Sequence, residues 1–320
     1  MRTNDQQYRL TVLLVTYNHE KYIHQALQSL LGQMIDGPIE LIVADDGSSD
    51  NTIDIIKGYE GKDSRFHFKY LDNTSNLGIT RNYQRSFAAC TGEYVAIIEG
   101  DDYWITPDKL RLQIDFLQYH WECNLCSANY FVFEEDNGRF SARTTIEDGY
   151  MLISARELIT DNLAGNFSTC LYRRSALDSL PPALFEIVSY DWIVNICVAR
   201  NSLIGFLKKP MSVYRLHMAG VWTQTPHIKK IQTQLDHIPA YDKLTEHLFH
   251  NEFEALACSL RYTIKVSNVS RTASVCARPI AVALSRVPDY LPPILILIAQ
   301  AIIPQKLKRF FVRVLNGSQP

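Results

Sequence analysis

The chain has 320 residues, of which 47% are hydrophobic and 21% are charged, so a disordered protein is excluded. The formal net charge of −2 provides no basic excess for binding nucleic acid. The N-terminus, MRTNDQQY, lacks the apolar core of a signal peptide, and no uncharged run reaches the roughly 18 residues of a membrane span. We therefore expect a cytoplasmic protein whose seven scattered cysteines are reduced thiols.

The first hundred residues alternate between apolar strands and amphipathic helices. Strands are predicted at Leu10–Thr16, Ile39–Ala44, Phe66–Leu71 and Val95–Ile98. Helices are predicted at Glu20–Leu31, Thr52–Tyr59 and Asn76–Ala89. This alternation predicts βαβ units, and therefore an α/β fold whose mostly parallel sheet is covered by helices on both faces.

Polar residues follow three of these strands, at 16–18, 45–48 and 99–102. Ligands of such sheets bind beyond the carboxyl ends of the strands, so we expect the three loops to meet at one crevice. Glu99, Asp101 and Asp102 crowd three carboxylates together, which favours a divalent cation such as Mg²⁺ or Mn²⁺ and, through it, a phosphate. The alternative is an acidic strand end that leads into a solvated turn.

The second half of the chain mixes strands with helices. The predicted elements are a helix at Pro107–His120, a strand at Cys123–Glu134, a hairpin turn at Asp136–Gly138, a helix at Ser154–Thr160 capped by Ser154, a strand at Phe167–Tyr172, a helix at Asp191–Ala199, strands near Gly205–Leu207 and Ser212–Leu216, and helices at His227–Val266 and Val275–Leu284. Cys123 and Cys126 form an isolated C-x-x-C on a strand, which favours two core cysteines on opposite faces over zinc ligands.

Four motifs, in this order, carry a family resemblance: VLLVTYNHEKYI, ELIVADDGSSDNT, NLGITRNYQ and GEYVAIIEGDDYW. Together they resemble the family 2 glycosyltransferases of the GT-A fold, over roughly residues 10–220. The resemblance implies a Rossmann-like mixed sheet flanked by helices. It places a catalytic domain at 1–222, with a nucleotide-sugar half at about 1–104 and an acceptor half at about 105–222, before a helical extension at 223–320.

The resemblance also implies an activity. The enzyme would be an inverting hexosyltransferase of bacterial surface polysaccharide synthesis. It would move a sugar from a nucleotide-sugar donor, by family habit a UDP-sugar with dTDP as the alternative, to a hydroxyl of a glycan or lipid-linked acceptor. A divalent ion, Mn²⁺ or Mg²⁺, would stabilise the nucleoside diphosphate that leaves.

Individual roles follow from the aligned motifs. The candidates for binding the nucleotide are Thr16, Tyr17, Asn18, Asp45, Asp46, Glu99 and Gly100, and those for binding the phosphates are Arg81 and Arg215. The candidate metal ligands are Asp101 first, then Asp102, and His217. Glu99 replaces the first Asp of the family's D-x-D motif, so it would contact the ribose or reach the ion through water.

Asp191, in the sequence SYDW, resembles the family's catalytic acidic residue, which would act as the general base. Tyr190 stands where the family usually has Glu. The alternative is an N-cap for the helix that follows. Trp104, Trp192 and Trp222 are candidates for stacking on sugars, against the alternative that they belong to the core.

The C-terminal segment combines an uncharged stretch, 290–305, with an apolar helical face at 307–315 flanked by Lys and Arg. This pattern is typical of a helix in a membrane interface, and it predicts peripheral contact of segment 288–316 with the anionic inner face of the cytoplasmic membrane. The alternatives are packing on the catalytic domain or homo-oligomer formation through the C-terminal helices.

Two other function classes are considered. A non-catalytic nucleotide-sugar-binding or scaffold protein remains open because Glu99 and Tyr190 depart from the family pattern. A dinucleotide oxidoreductase is disfavoured because no G-x-G-x-x-G follows the first strand.

Overall fold

A computed structural model of the chain describes residues 9–72, 74–218, 220 and 225–273. The predicted helix Val275–Leu284, the segment 288–316 and Trp222 lie outside the described residues. The chain divides into two compact units after Val266. The sheet, the helices that cover it and the candidate site belong to the first unit.

One mixed sheet runs through this unit. Its strands are β1 (Leu10–Thr16), β2 (Ile39–Asp45), β3 (Phe66–Tyr70), β4 (Tyr94–Glu99), β5 (Tyr103–Trp104), β6 (Cys123–Glu134), β7 (Arg139–Ala142), β8 (Tyr150–Ile153), β9 (Leu171–Arg173) and β10 (Leu203–Leu216). The main order is β3-β2-β1-β4-β9-β6-β10-β5, with β7 on β6 and β8 on β10. The first four strands are parallel, whereas β9 is antiparallel to both β4 and β6.

Helices cover both faces of the sheet. They are α1 (Ile23–Leu31), α2 (Thr52–Lys57), α3 (Ile79–Ala89), α4 (Lys109–Tyr119), α5 (Ala155–Thr160), α6 (Arg174–Asp178), α7 (Asp191–Val198), α8 (His227–Leu244) and α9 (His250–Ala273). Successive residues of β4 enter different cores: Val95 and Ile97 pack with α3 and α7, and Ala96 and Ile98 with α1 and α4. The predicted α/β fold, with a mixed sheet between helices, is confirmed.

Strand register brings the predicted loops to one level. Thr16 at the end of β1 pairs with Asp45 of β2, and Val15 pairs with Glu99 of β4. Because these strands are parallel, the residues that follow them emerge at the same edge of the sheet. This edge carries the candidate site.

The structure corrects the predicted strand Phe167–Tyr172. Residues Phe167–Thr169 form a 3₁₀ turn, and the strand begins at Leu171. The hydroxyl of Thr169 donates to the carbonyl oxygens of Ala164 and Asn166, at 2.6 and 2.7 Å, and such bonds compete with extended backbone.

The two strands predicted between Leu203 and Leu216 are one strand, β10, with a register shift between Leu207 and Ser212. Pro210 lies in this interval and has no N–H to donate to a neighbouring strand. A second register shift lies between Leu203 and Ile204, which pair with Cys123 and Leu125. Cys123 and Cys126 are therefore buried in the same core, and the expectation that they lie on opposite faces of the sheet was wrong.

The helical stretch predicted at 227–266 consists of two helices, α8 and α9, separated by a turn in which Glu246 and His247 have positive φ angles of 55° and 59°. Ile238 of α8 and Phe253 of α9 are buried in the same core as β4. Among the described residues, no helix is long and apolar enough to cross a membrane. The domain boundary at residue 222 stays a prediction.

Candidate active site

A cleft of about 480 Å³ opens at the carboxyl ends of β1, β2 and β4. This volume is within the range of small-molecule sites. The predicted site residues that line it are Thr16, Tyr17, Asp46, Glu99, Asp101, Asp191 and Arg215. The predicted site residues that do not line it are Asn18, Asp45, Arg81, Gly100, Asp102 and His217. The structure therefore brings the three strand-end loops together. Some of the predicted residues line the cleft, and the others do not.

The loop after β2 is held from within by Asp45. Its Oδ2 accepts hydrogen bonds from the backbone N–H groups of Gly47 (3.2 Å) and Ser48 (2.9 Å). Asn18, which has a positive φ of 55°, joins the first two loops: its N–H donates to Ser48 Oγ, and its Oδ1 accepts from the N–H of Ser49, both at 2.8 Å. In this structure Asp45 and Asn18 shape the wall of the cleft from behind it.

Asp46 lines the cleft and accepts hydrogen bonds from the residues that lead into α3. Its two carboxylate oxygens accept from the N–H groups of Leu77 (2.8 Å) and Gly78 (3.0 Å). The Asp46 N–H in turn donates to the Thr16 carbonyl at 2.9 Å. One carboxylate thus ties together the β1, β2 and α3 segments.

Gly100 lets β4 approach the first loop closely. A Cβ atom at this position would lie 2.7 Å from Thr16 Oγ1 and 2.8 Å from His19 Nδ1. A side chain at this position would have to displace the side chains of Thr16 and His19. The contribution of Gly100 in this structure is close packing.

Asp101 faces two histidines. Its Oδ2 lies 3.0 Å from Nε2 of His217 and 3.8 Å from Nε2 of His19. Burial favours a higher pKa for Asp101, but the two neighbouring imidazoles outweigh it and lower the pKa of this carboxyl. Nδ1 of His217 is buried and has no hydrogen-bond partner among the described residues. Asp101 thus stays ionised at the cleft wall.

Asn166 bridges the carboxyl groups of Glu99 and Asp102. Its Nδ2 donates to Asp102 Oδ2 at 2.5 Å and to Glu99 Oε2 at 3.2 Å. Asp102 Oδ1 also accepts from the backbone N–H of Arg215 at 3.0 Å. Both oxygens of Asp102 are bonded inside the protein, so the expectation that it is a second metal ligand does not fit its position.

The acid cluster brings the carboxyl groups of Glu99, Asp101 and Asp102 together where burial opposes their ionisation. Burial, together with Asp102 and Asp101, raises the pKa of Glu99 well above its usual range. Burial and Asp101 likewise raise the pKa of Asp102. Groups that resist ionisation in this way indicate a site where a cation would be stabilised.

The two predicted arginines differ in their surroundings. Arg215 is 9% exposed; its Nε donates to the Asp101 carbonyl at 2.9 Å, and Tyr22, Tyr103 and Phe133 surround its guanidinium. Arg81 is paired instead with exposed Glu186, at 3.0 Å, outside the cleft lining. Arg81 lies outside the cleft lining, so its contact with the phosphates stays a prediction.

Asp191, the first residue of α7, lines the same cleft as Asp101. The N-cap residue is Tyr190, so the carboxylate of Asp191 is a first-turn acid and not the cap. Burial raises the pKa of Asp191 to about 6, against the opposing effect of the Asn162 amide, which donates to Oδ1 at 3.2 Å. A carboxyl with this pKa is suited to exchanging a proton near neutral pH.

Trp104 is buried in the core, and Trp192 is partly buried and packs against it. The indole N–H of Trp104 donates to the Ser168 carbonyl at 2.9 Å, and that of Trp192 to the Leu158 carbonyl at 2.8 Å. Neither lines the cleft, so sugar stacking is not supported for either of them.

Sequence reasoning did not select several residues that line the cleft. These are His19, Asn76, Gly78, Ile79, Asn82, Tyr83, Asn166, Phe167, Tyr190 and Tyr214, besides Val15 and Gly220. His19 was detectable, since it directly follows the selected residues Tyr17 and Asn18. Asn166 was not detectable, because its partners Glu99 and Asp102 are more than sixty positions away.

The chain is similar in sequence and in fold to known proteins. The putative glycosyltransferase EpsH of Bacillus subtilis is 30% identical over 225 residues, which cover 66% of this chain and 62% of that protein. The chain spans about 60% of the length of the curated relatives that it matches.

Two solved structures share the fold. TarS 1–349 of S. aureus, in complex with UDP-GlcNAc, aligns with a TM-score of 0.58 at 19% identity, covering 81% of this chain and 76% of that chain. The mannosyltransferase PcManGT from Pyrobaculum calidifontis, in complex with GDP-Man and Mn²⁺, aligns with a TM-score of 0.62 at 16% identity, covering 96% and 84%. At these identities the likeness shows the fold alone, which is the expected GT-A fold.

The family profile described as glycosyl transferase family 2 matches residues 11–180. This range contains β1, β2 and β4, whose ends form the cleft. The chain belongs to glycosyl transferase family 2.

Proposed function

We propose that the chain is a metal-assisted, inverting glycosyltransferase that moves a sugar from a UDP-sugar to a hydroxyl group of a glycan or lipid-linked acceptor. The observation that carries the proposal is that Asp101 and Asp191 line one cleft. Asp101 is an ionised carboxylate beside two imidazoles, and Asp191 is a carboxyl group of raised pKa. The first suits a divalent cation and the second suits a general base.

The residues around Asp101 fit a divalent ion. Asp101 Oδ2 and His217 Nε2 are 3.0 Å apart, and two ligand atoms each roughly 2.1 Å from one ion, at a right angle, have this separation. The pKa values of the neighbouring acids Glu99 and Asp102 are raised, and a bound cation would favour their ionised forms. Mn²⁺ or Mg²⁺ bound here would neutralise charge on the diphosphate of the donor. We assign Asp101 and His217 as its ligands, with Asp102 as a support.

Asp191 is proposed to take the proton from the acceptor hydroxyl while its oxygen attacks the anomeric carbon. The bond from that carbon to the diphosphate breaks in the same displacement, so the configuration inverts. Arg215 and Tyr17 line the cleft and are candidates for contacts with the diphosphate and the base.

TarS, in complex with UDP-GlcNAc, supports the choice of a UDP-sugar. PcManGT, in complex with GDP-Man and Mn²⁺, supports a nucleotide-sugar donor and a divalent ion, but not UDP in particular. EpsH is named a putative glycosyltransferase. We propose UDP as the nucleotide of the donor. The proposed acceptor is a surface polysaccharide or its lipid-linked precursor. Segment 288–316 would hold the enzyme at the inner face of the cytoplasmic membrane.

The test compares the unaltered chain with Asp191→Asn in a panel of nucleotide sugars, with and without Mn²⁺. Thermal unfolding reports binding, and release of the nucleoside diphosphate reports turnover. We expect one UDP-sugar to stabilise both proteins and Asp191→Asn to lower turnover by roughly 10²–10⁴-fold. The control is Asp178→Asn, an exposed acid paired with Arg174.

Each other outcome is informative. Turnover of Asp191→Asn close to that of the unaltered chain would remove the assigned base. Stabilisation by a UDP-sugar without turnover, in the unaltered chain and with a range of acceptors, would favour the non-catalytic alternative.

A further inference from the structure

A second cluster of metal-binding side chains lies at the junction of α8 and α9. It comprises Asp242 in the last turn of α8, His247 in the connecting turn and His250 at the start of α9. Among the described residues, these three form the one group of His, Cys, Asp or Glu whose ligand atoms all lie within 4.8 Å of one another. None of them lines the cleft.

The two imidazoles converge on one carboxylate oxygen. Nδ1 of His247 lies 2.9 Å from Oδ2 of Asp242, and Nδ1 of His250 lies 2.8 Å from the same atom. Both histidines are otherwise open to solvent, with side chains 64% and 58% exposed. Three ligand atoms from two helices and their turn thus point at one small volume.

The carboxylate itself lacks a partner that it needs. Asp242 is 7% exposed, and its Oδ1 is buried without a hydrogen-bond partner among the described residues. A buried carboxylate oxygen without a partner is costly, and such atoms often mark a missing ion or water. Oδ1 is the second oxygen of the carboxylate that the histidines contact through Oδ2, so a partner is missing beside the same group.

We propose that Asp242, His247 and His250 form a binding site for Zn²⁺, separate from the catalytic cleft. Two imidazole nitrogens with one carboxylate oxygen are a donor set that suits Zn²⁺, whereas oxygen-rich sites suit Mg²⁺ and Mn²⁺. Three protein ligands leave the fourth tetrahedral position to water, which the exposed histidines allow to enter.

The required movement is small. Two atoms each about 2.1 Å from one ion in tetrahedral geometry are roughly 3.4 Å apart, so each His–Asp separation opens by about half an ångström. Exposed imidazoles can rotate by this amount without disturbing the core. The ion replaces the contacts of the two rings with Oδ2.

The site would join the two helices. Leu244 of α8 and Phe253 of α9 are buried in the same core, and the ion would close the turn between them. The hydroxyl of Tyr241, next to Asp242, donates to the Val188 carbonyl at 3.0 Å, in the segment that precedes Asp191. Zn²⁺ is therefore expected to stabilise the folded chain against heat.

The test uses the metal-free full-length chain and the double variant His247→Gln/His250→Gln, with Zn²⁺ binding followed by equilibrium dialysis and by thermal unfolding. Since both side chains are exposed, the double variant is expected to fold. His227→Gln, which removes an exposed histidine at the start of α8, is the matched control. Asp101→Asn, alone and combined with the double variant, separates this site from the catalytic cleft.

We expect the double variant to bind one equivalent of Zn²⁺ less than the unaltered chain. Its affinity for that equivalent should fall by more than the roughly 10–100-fold that loss of a mere supporting group costs. The same equivalent should be lost when Asp101→Asn is present, and the Zn²⁺-dependent rise in Tm should disappear with it. His227→Gln should behave as the unaltered chain.

Two results would overturn the proposal. One is equal Zn²⁺ binding by the double variant and the unaltered chain. The other is loss of all bound Zn²⁺ from Asp101→Asn alone, which would assign the ion to the cleft.

Discussion

At the scale of single residues, the acids of the cleft differ in role because their partners differ. Asp45, Asp46 and Asp102 accept hydrogen bonds from backbone N–H groups and hold loops in place. Asp101 lies in the cleft lining beside two imidazoles, and Asp191 lies in the same lining with a raised pKa. These two acids are the ones that we propose for an ion and a proton.

The pH dependence of activity should report Asp191. Burial raises its pKa to about 6, and a general base works only when it is deprotonated. We therefore expect kcat/KM to be half-maximal near pH 6, to level off above about pH 7, and to fall about tenfold per pH unit well below pH 6. The measurement is kcat/KM against pH at saturating metal.

Asn162→Ala sharpens this prediction. The Asn162 amide donates to Asp191 Oδ1 and lowers the pKa of that carboxyl, so its loss should move the acid limb to higher pH. Asn201→Ala, at an exposed position outside the cleft lining, is the control and should leave the limb unchanged. An acid limb that stays in place, or moves to lower pH, in Asn162→Ala would argue against Asp191 as the titrating base.

At the scale of elements, the site depends on how closely β4 approaches the loop after β1. Gly100→Ala would place a methyl group 2.7 Å from Thr16 Oγ1 and 2.8 Å from His19 Nδ1. We expect the free energy of unfolding to fall by about 1–3 kcal/mol, the usual cost of overpacking, and UDP binding to weaken with it. Urea unfolding and calorimetric titration with UDP would measure both.

Gly58→Ala is the matched control for this change. Gly58 ends α2 with an ordinary φ of −63°, and its added Cβ would meet only the backbone carbonyls of Ile55 and Asp54. It should change the free energy of unfolding by no more than about 0.5 kcal/mol. Equal effects of the two substitutions would mean that the packing at Gly100 has no special importance.

Several elements could be predicted from sequence because their signals are local. β1 and β6 have the predicted bounds, since stretches rich in apolar residues mark them. The predicted cap by Ser154 also forms, as part of a capping box with Glu157. The two-residue strand β5 has no such signal, because it exists only through pairing with Ser212 and Val213 of β10.

The candidate site was predictable in part for the same reason. Parallel strands deliver the loops after β1, β2 and β4 to one edge, so residues in those loops could be grouped. Their orientation could not be predicted, because it depends on distant partners: Asp102 turns inward to the N–H of Arg215, 113 positions later. The contact of Arg81 with Glu186, 105 positions away, could not be predicted for the same reason.

At the scale of the whole molecule, the proposed acceptor requires the enzyme to reach a membrane. The relevant segment, 288–316, lies outside the described residues, so this prediction depends on its sequence. Apolar residues at 307–315 and the basic residues Lys306, Lys308, Arg309 and Arg313 should bind anionic lipid.

Sedimentation with anionic vesicles tests this contact. The full-length chain should sediment with them, whereas a truncation that ends at Arg286 should stay in solution. Replacing the four basic residues by Gln should weaken binding, as should raised salt, because the attraction is partly electrostatic. Equal sedimentation of the full-length chain and the truncation would contradict membrane contact through this segment.

The central claim is that an ion held at Asp101 joins the nucleotide to the strand-end loops. Calorimetric titration with UDP, with and without Mn²⁺, tests it most directly in the unaltered chain, Asp101→Asn and the surface control Asp178→Asn. We predict that Mn²⁺ tightens UDP binding by roughly 5–150-fold in the unaltered chain and the control, and has no effect in Asp101→Asn. If Asp101→Asn kept the full effect of Mn²⁺, the ion would not be held at Asp101 and the account would be wrong.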